Sequence, residues 1–234
     1  VIGPFINSAA IVLGGLAGVM LARYVPKRLE EGLPAIFALS SIFIGINMAA
    51  KVHFMPVVVL AMISGTALGE LFFLERGVKW SADKTRLALA RVIRVRNTLP
   101  ANEFAQNFTA MIVLFCASGL GVVGSLTEGL SGNAQLLLIK SLMDFFTAMI
   151  FSLSLGVSII TIPQFAVQAT LVILARFITA NMDDIAFADF SACGGIIMIA
   201  VGLRIAQIKI FSVVNFLPSL LFVVPISYLW RHFV

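Results

Sequence analysis

IGPFINSAAIVLGGLAGVMLA, running from Ile2 to Ala22, decides what kind of protein this is, because it is an apolar run without one charged side chain. As a helix it would cover about 31 Å, and the hydrocarbon core of a bilayer is ~30 Å thick. Runs of the same character follow at Leu33 to Ala50, Phe54 to Leu74, Phe104 to Leu126 and Ala134 to Ile160. Three more occupy Gln164 to Ala180, Ile185 to Leu203 and Ile210 to Trp230. Together they predict an all-α integral membrane protein of about eight transmembrane helices. It forms one membrane domain, residues 1–234, with the lipid bilayer as its first partner.

Composition agrees. Of 234 residues, 60% are hydrophobic and 12% charged, about half the ~25% charged share of soluble domains. Cys116 and Cys193 sit in apolar runs, where cysteine behaves as a small hydrophobe. His53 and His232 lie apart, beside the ends of runs, so no metal site and no cofactor is expected. No paired Ser and His, HExxH or aspartyl pair is present, and an enzyme is not expected.

The net charge of +5 would suit nucleic acid, but its placement does not. Basic residues collect in three connections: Arg23, Lys27 and Arg28; Arg76, Lys79, Lys84, Arg86, Arg91, Arg94 and Arg96; Arg204 and Lys209. In an eight-helix order all three face one side, which the positive-inside rule makes cytoplasmic, leaving both termini outside. The first run lacks a basic leader, so no cleavable signal peptide is expected. The long connection, residues 76–103, has Leu87, Ala90 and Ile93 at helical spacing, with Trp80 as an interfacial anchor. It reads either as a short amphipathic helix on the inner leaflet or as a solvated basic loop.

Phe-Thr-Ala-Met-Ile occurs at Phe108 to Ile112 and again at Phe146 to Ile150, on predicted helices that run in opposite directions. Inverted-topology repeats with broken helices near the midplane are a transporter architecture. Chance matching in an apolar alphabet is the competing explanation. Asn215-Phe216-Leu217-Pro218 and Gly119, Gly121 and Gly124 are the expected break points.

Candidate site residues are polar groups at membrane depth. Lys140, Asp144, Thr147 and Ser154 form a stripe on one helix face, with Phe151 and Ser158 in the same register. Buried charges there cost about 2.5 to 3.5 kcal/mol each and mark pathways or relays. The bland alternative has Lys140 snorkelling outward with Asp144 merely pairing to it. Glu70 follows a GxxxG spacing at Gly65 and Gly69 and reads as a proton-exchanging carboxylate or an interfacial one. Asn47, Asn107 and Asn215 join the set as path-lining groups or helix-to-helix hydrogen bonders, and Asn7 shares their character.

Four runs resemble the bacterial YqgA/YdfK family, a domain-of-unknown-function set of inner-membrane proteins: NFTAMIVLFCASGLGVVGSLTEGLSG (Asn107 to Gly132), KSLMDFFTAMIFSLSLG (Lys140 to Gly156), GLRIAQIKIFSVVNFLPSLL (Gly202 to Leu221) and GTALGELFFLERGV (Gly65 to Val78). The resemblance implies a bacterial cytoplasmic-membrane location and supplies no site residues. The expected function is a small secondary transporter or channel-like permease for an ion or small-molecule solute, working as a homodimer. The alternative is a non-transporting membrane scaffold or sensor.

Overall fold

The computed structural model describes residues 2–21, 26–92, 101–116, 118–155, 160–179 and 182–233. Among them every regular element is helical. In chain order these are α1 (Gly3–Leu21), α2 (Lys27–Ala49), α3 (Met55–Leu71), α4 (Leu74–Val92), α5 (Ala101–Cys116) and α6 (Gly119–Ser131). After them come α7 (Gln135–Leu155), α8 (Thr161–Thr179), α9 (Asp184–Ile205), α10 (Val213–Phe216) and α11 (Ser219–Trp230).

Five helical stretches among the described residues are long and apolar enough to cross a membrane: Gly3–Met20, Gly32–Ala49, Met111–Ser131, Asp184–Ile205 and Val213–Trp230. Met55–Leu71 and Leu74–Ala88, bent by 54° at their junction, make a sixth if taken as one broken span. The expected eight are therefore five or six by this standard. α7 carries Lys140 and Asp144, and the apolar part of α8 is the shorter Thr161–Ala175.

The chain divides into two compact units. The first comprises residues 1–33 and 78–177, the second residues 34–77 and 178–234. In the first, α1 lies so close along α7 that a Cβ at Gly14 would fall 2.2 Å from the Phe145 carbonyl oxygen. α6 meets α8 the same way, with a Cβ at Gly129 only 2.4 Å from the Val172 carbonyl oxygen. Ile11, Ala82, Phe108, Ile112, Phe115, Cys116, Ala148 and Ile160 close an apolar core around these contacts. Ser118 caps α6 by accepting from the Gly121 N–H at 3.1 Å, and Gly132, at φ +73°, ends it.

In the second unit, α2 and α9 touch at Gly45 and Gly195, where either Cβ would sit 2.6 Å from the other glycine's carbonyl oxygen. α3 lies on α10 and α11: a Cβ at Gly65 would fall 2.3 Å from the Ser219 nitrogen, and one at Gly69 would fall 2.0 Å from the Asn215 carbonyl oxygen. Small residues permit this approach, which dispersion then rewards. Each of these glycines packs inside its own unit.

Two interruptions fall where breaks were expected. Ser118, in extended conformation, opens α6 just beyond the end of α5, whereas Leu217 and Pro218 between α10 and α11 keep right-handed helical dihedrals and interrupt only the regular hydrogen-bond ladder. A third lies at Phe72 and Phe73, where Phe73 takes φ +50°, a left-handed conformation that a bulky residue adopts only under constraint. Asn215 supplies part of that constraint by accepting from the Glu75 N–H at 2.9 Å in the first turn of α4. Arg204 supplies more, pairing with Glu75 at 3.0 Å while donating to the Phe211 carbonyl at 2.8 Å.

Candidate functional site

Lys140 and Asp144 lie one turn apart on α7, and both are buried, at 2% and 5% exposure. Their ion pair measures 2.5 Å. The lysine does not snorkel outward: its ammonium lies 5.9 Å from the centre of the Phe115 ring on α5. Two charges so placed are stable only as a pair, since attraction at short range offsets the loss of water.

Polar side chains from α1 and α8 complete the surroundings. Gln164 donates to the Gln168 carboxamide oxygen at 2.6 Å, and Asn7 donates to the same oxygen at 3.3 Å. Ser8 donates to Gln164 at 2.9 Å, and Asn7 lies beside Asp144. Asn7, Gln164 and Gln168 are all fully buried. The Asn7 Oδ1 and the Gln168 Nε2 have no hydrogen-bond partner among the described residues. At Gly121, in the first turn of α6, a Cβ would stand 2.9 Å from Lys140 Cε, 3.0 Å from Ser118 Oγ and 3.3 Å from Gln168 Nε2. Elements α1, α6, α7 and α8 thus bring polar groups to the start of a helix that begins inside an apolar bundle.

The other expected residues do not gather there. Thr147 is half-buried and donates to the Met143 carbonyl at 2.9 Å, within its own helix. Phe151, on the same stripe, is exposed. The side chains of Asn107, Ser154 and Ser158 lie outside the described residues. Glu70 is exposed on α3, and Asn47 is exposed on α2 with its amide donating to the Phe43 carbonyl at 2.8 Å. Asn215 is buried, but it serves the α3–α4 bend in the second unit.

Sequence reasoning overlooked two buried carboxylates. Glu128, on α6, accepts from the Ile2 N–H at 2.7 Å and the Gly3 N–H at 3.1 Å, at the start of α1. Asp189, on α9, accepts from the His53 and Phe54 N–H groups at 3.0 and 2.8 Å, just ahead of α3, and from Ser227 at 2.7 Å. Both complement the unpaired N–H groups of a helix start. Asp189 stood within an apolar run, which was signal enough; Gln164 and Gln168, four apart in another, were a similar mark. Among the described residues no group of three or more His, Cys, Asp or Glu side chains could hold a metal ion.

Apolar helices of spanning length, with charges paired inside them, define a multi-pass membrane protein. The chain belongs to the family described as "Protein of unknown function (DUF554)", whose pattern matches residues 2–228. It is 45% identical over 233 residues to "Uncharacterized protein YqgA" of Escherichia coli (strain K12), covering 98% of this chain and 97% of that one. It is 22% identical over 226 residues to "Uncharacterized membrane protein YdfK" of Bacillus subtilis (strain 168), covering 94% and 92%. No solved structure matches it.

Proposed function

We propose that the protein is a small secondary transporter or channel-like permease of the bacterial cytoplasmic membrane, moving an ion or small solute. The observation that carries this reading is the buried Lys140–Asp144 pair, ringed by Asn7, Gln164 and Gln168 at the break between α5 and α6. Insertion of two charges and three carboxamides is unfavourable, and a purely structural bundle would hold its helices with fewer of them. Discontinuous helices whose ends meet polar groups are how carriers build sites in lipid.

The reading counts α3, α7 and α8 as spans beside the five apolar stretches, making eight, and leaves α4 with its basic residues outside the hydrocarbon core. In that order the basic connections face the cytoplasm and both termini lie outside. What supports α7 is its length, 21 residues or about 31 Å, and the mutual neutralisation of its two charges. The repeated pentapeptide gives little support to an inverted repeat. Both copies belong to the first unit, and their threonines differ: Thr109 donates to Asp83 at 2.7 Å, whereas Thr147 bonds its own helix.

A scaffold or sensor is the competing reading. It draws on the face of α4, where Trp80 and Leu87 are exposed and Lys84 lies 5.4 Å from the Trp80 ring. Flux in proteoliposomes separates the two. Transport of an ion or small solute that falls at least tenfold in Asp144→Asn, with the protein still folded, supports the permease. Wild-type flux in Asp144→Asn and Lys140→Gln would move the pathway elsewhere, and no flux across an ion and metabolite panel would favour the scaffold.

A further inference from the structure

The broken start of α6 has three features of an anion site, and each comes from a different helix. The first turn of α6 presents the positive end of a thirteen-residue helix. Lys140 reaches it from α7, its Cε 2.9 Å from where a Cβ of Gly121 would stand. Gln168 reaches it from α8 with its carboxamide nitrogen 3.3 Å from the same point.

The orientation of the Gln168 carboxamide follows from its neighbours. With Gln164 and Asn7 oriented as donors, its oxygen accepts from both. The nitrogen is therefore the group turned to α6, fully buried and without a partner among the described residues. Leaving a buried donor unpaired costs about 1–3 kcal/mol, which an incoming acceptor would restore. Cationic ammonium, amide donor and helix start all favour negative charge.

Asp144 limits what can bind. Its carboxylate sits 2.5 Å from Lys140 and already balances that ammonium. A monovalent anion arriving beside Lys140 would leave two negative charges against one positive, in a site shielded from water. The balance is restored if Asp144 takes a proton from the solution that delivers the anion. The empty site then holds Lys140 positive and Asp144 negative; the loaded site holds Lys140 positive, Asp144 neutral and the anion negative. Both are neutral overall. No other charged side chain intrudes among the described residues at the site. α5 faces the pair with the Cys116 thiol, while α1, α6 and α8 face it with Asn7, Ser118 and the two glutamines. Glu128, further along α6, is engaged at the start of α1.

We propose that the first turn of α6, the Lys140 ammonium and the Gln168 carboxamide bind a small monovalent oxyanion, such as a carboxylate, together with one proton accepted by Asp144. This rests on the permease reading for its purpose but not for its test. The full-length protein in nanodiscs is unfolded thermally with sodium nitrate or sodium formate, against sodium chloride at equal ionic strength, between pH 5 and pH 8. Nitrate stays ionised throughout, so any pH dependence belongs to the protein.

The expected result is stabilisation by both oxyanions, with the apparent Kd rising about tenfold per pH unit where Asp144 loses its proton. In Asp144→Asn the Kd should stay near its low-pH value at every pH. In Lys140→Gln stabilisation should vanish. Should either single variant fail to fold, the Lys140→Gln/Asp144→Asn double variant, which buries no charge, should fold and ignore both oxyanions. Gln168→Leu should weaken binding at least fivefold. No response of the wild type to either oxyanion, undiminished response in the double variant, or a pH slope retained in Asp144→Asn would each overturn the proposal. Oxyanion binding without any flux keeps this site and discards the permease; flux of another solute with no oxyanion response does the reverse.

Discussion

At the residue scale, placement inside or outside the apolar bundle decides what each ion pair is worth. Lys140 and Asp144 are joined in low dielectric, so removing one partner strands the other. Asp144→Asn should lower stability by about 3–5 kcal/mol, and the Lys140→Gln/Asp144→Asn double variant by clearly less, read as a midpoint shift in denaturant. Equal losses in single and double variants would mean that the pair is not the unit. Asp183 and Arg231 make the contrast, since the aspartate is solvent-exposed. The Arg231 guanidinium, and then the Ala186 N–H of the α9 cap, hold the Asp183 carboxyl down at about 2. A depressed carboxylate contributes stability that is complete above its ordinary value of 3.8 and is lost as pH falls toward 2. The difference in Tm between wild type and Asp183→Asn should therefore be largest above pH 4 and close on acidification. Being exposed, it should also shrink in high salt. A gap that widened on acidification would refute the assignment.

At the element scale, helix pairs are set by missing side chains and by caps. Gly69→Ala would drive a methyl group to 2.0 Å from the Asn215 carbonyl oxygen, forcing α3 off α10 and costing about 1–3 kcal/mol as overpacking does. Gly77→Ala meets nothing within 4 Å on α4, so it should be neutral or stabilise by up to ~1 kcal/mol through helix propensity. Paired thermal melts distinguish the two; similar losses at both would mean that helix contact is not the cause. The α3–α4 bend depends on Asn215 accepting from Glu75 and on Arg204 holding the Glu75 carboxylate. Asn215→Ala should cost about 0.5–2 kcal/mol, the range for a lost N-cap. Hydrogen exchange in Asn215→Ala should rise at residues 72–77 before it rises elsewhere in α3.

At the scale of the whole molecule, each unit has its own polar staple. Glu128 binds the start of α1 within the first, and Asp189 binds the start of α3 within the second. Neither is a surface charge: Glu128 is 4% exposed and Asp189 fully buried. Asp189→Asn removes the negative charge that faces the His53 and Phe54 N–H groups and turns an NH2 toward Ser227 in place of an acceptor. Loss of amide-exchange protection should be concentrated in residues 34–77 and 182–233. Glu128→Gln should act in the same way on residues 2–21 and 118–155. Uniform loss across the chain in both variants would show that the staples are not local.

The run from Ile2 to Ala22 and its successors were enough to establish an all-helical membrane protein, because burying apolar surface and pairing every backbone group in lipid admit few other solutions. Prolines and glycines at 215–218 and 119–124 also marked breaks, since their backbone effects are local. Spacing on one helix identified Lys140 and Asp144 as a pair for the same reason. Only the tertiary structure turned Gln168 toward Gly121, exposed Glu70 and Asn47, and sent Glu128 and Asp189 to distant helix starts. Those outcomes depend on which faces of separate helices meet, and periodicity along a single helix carries no information about its neighbours.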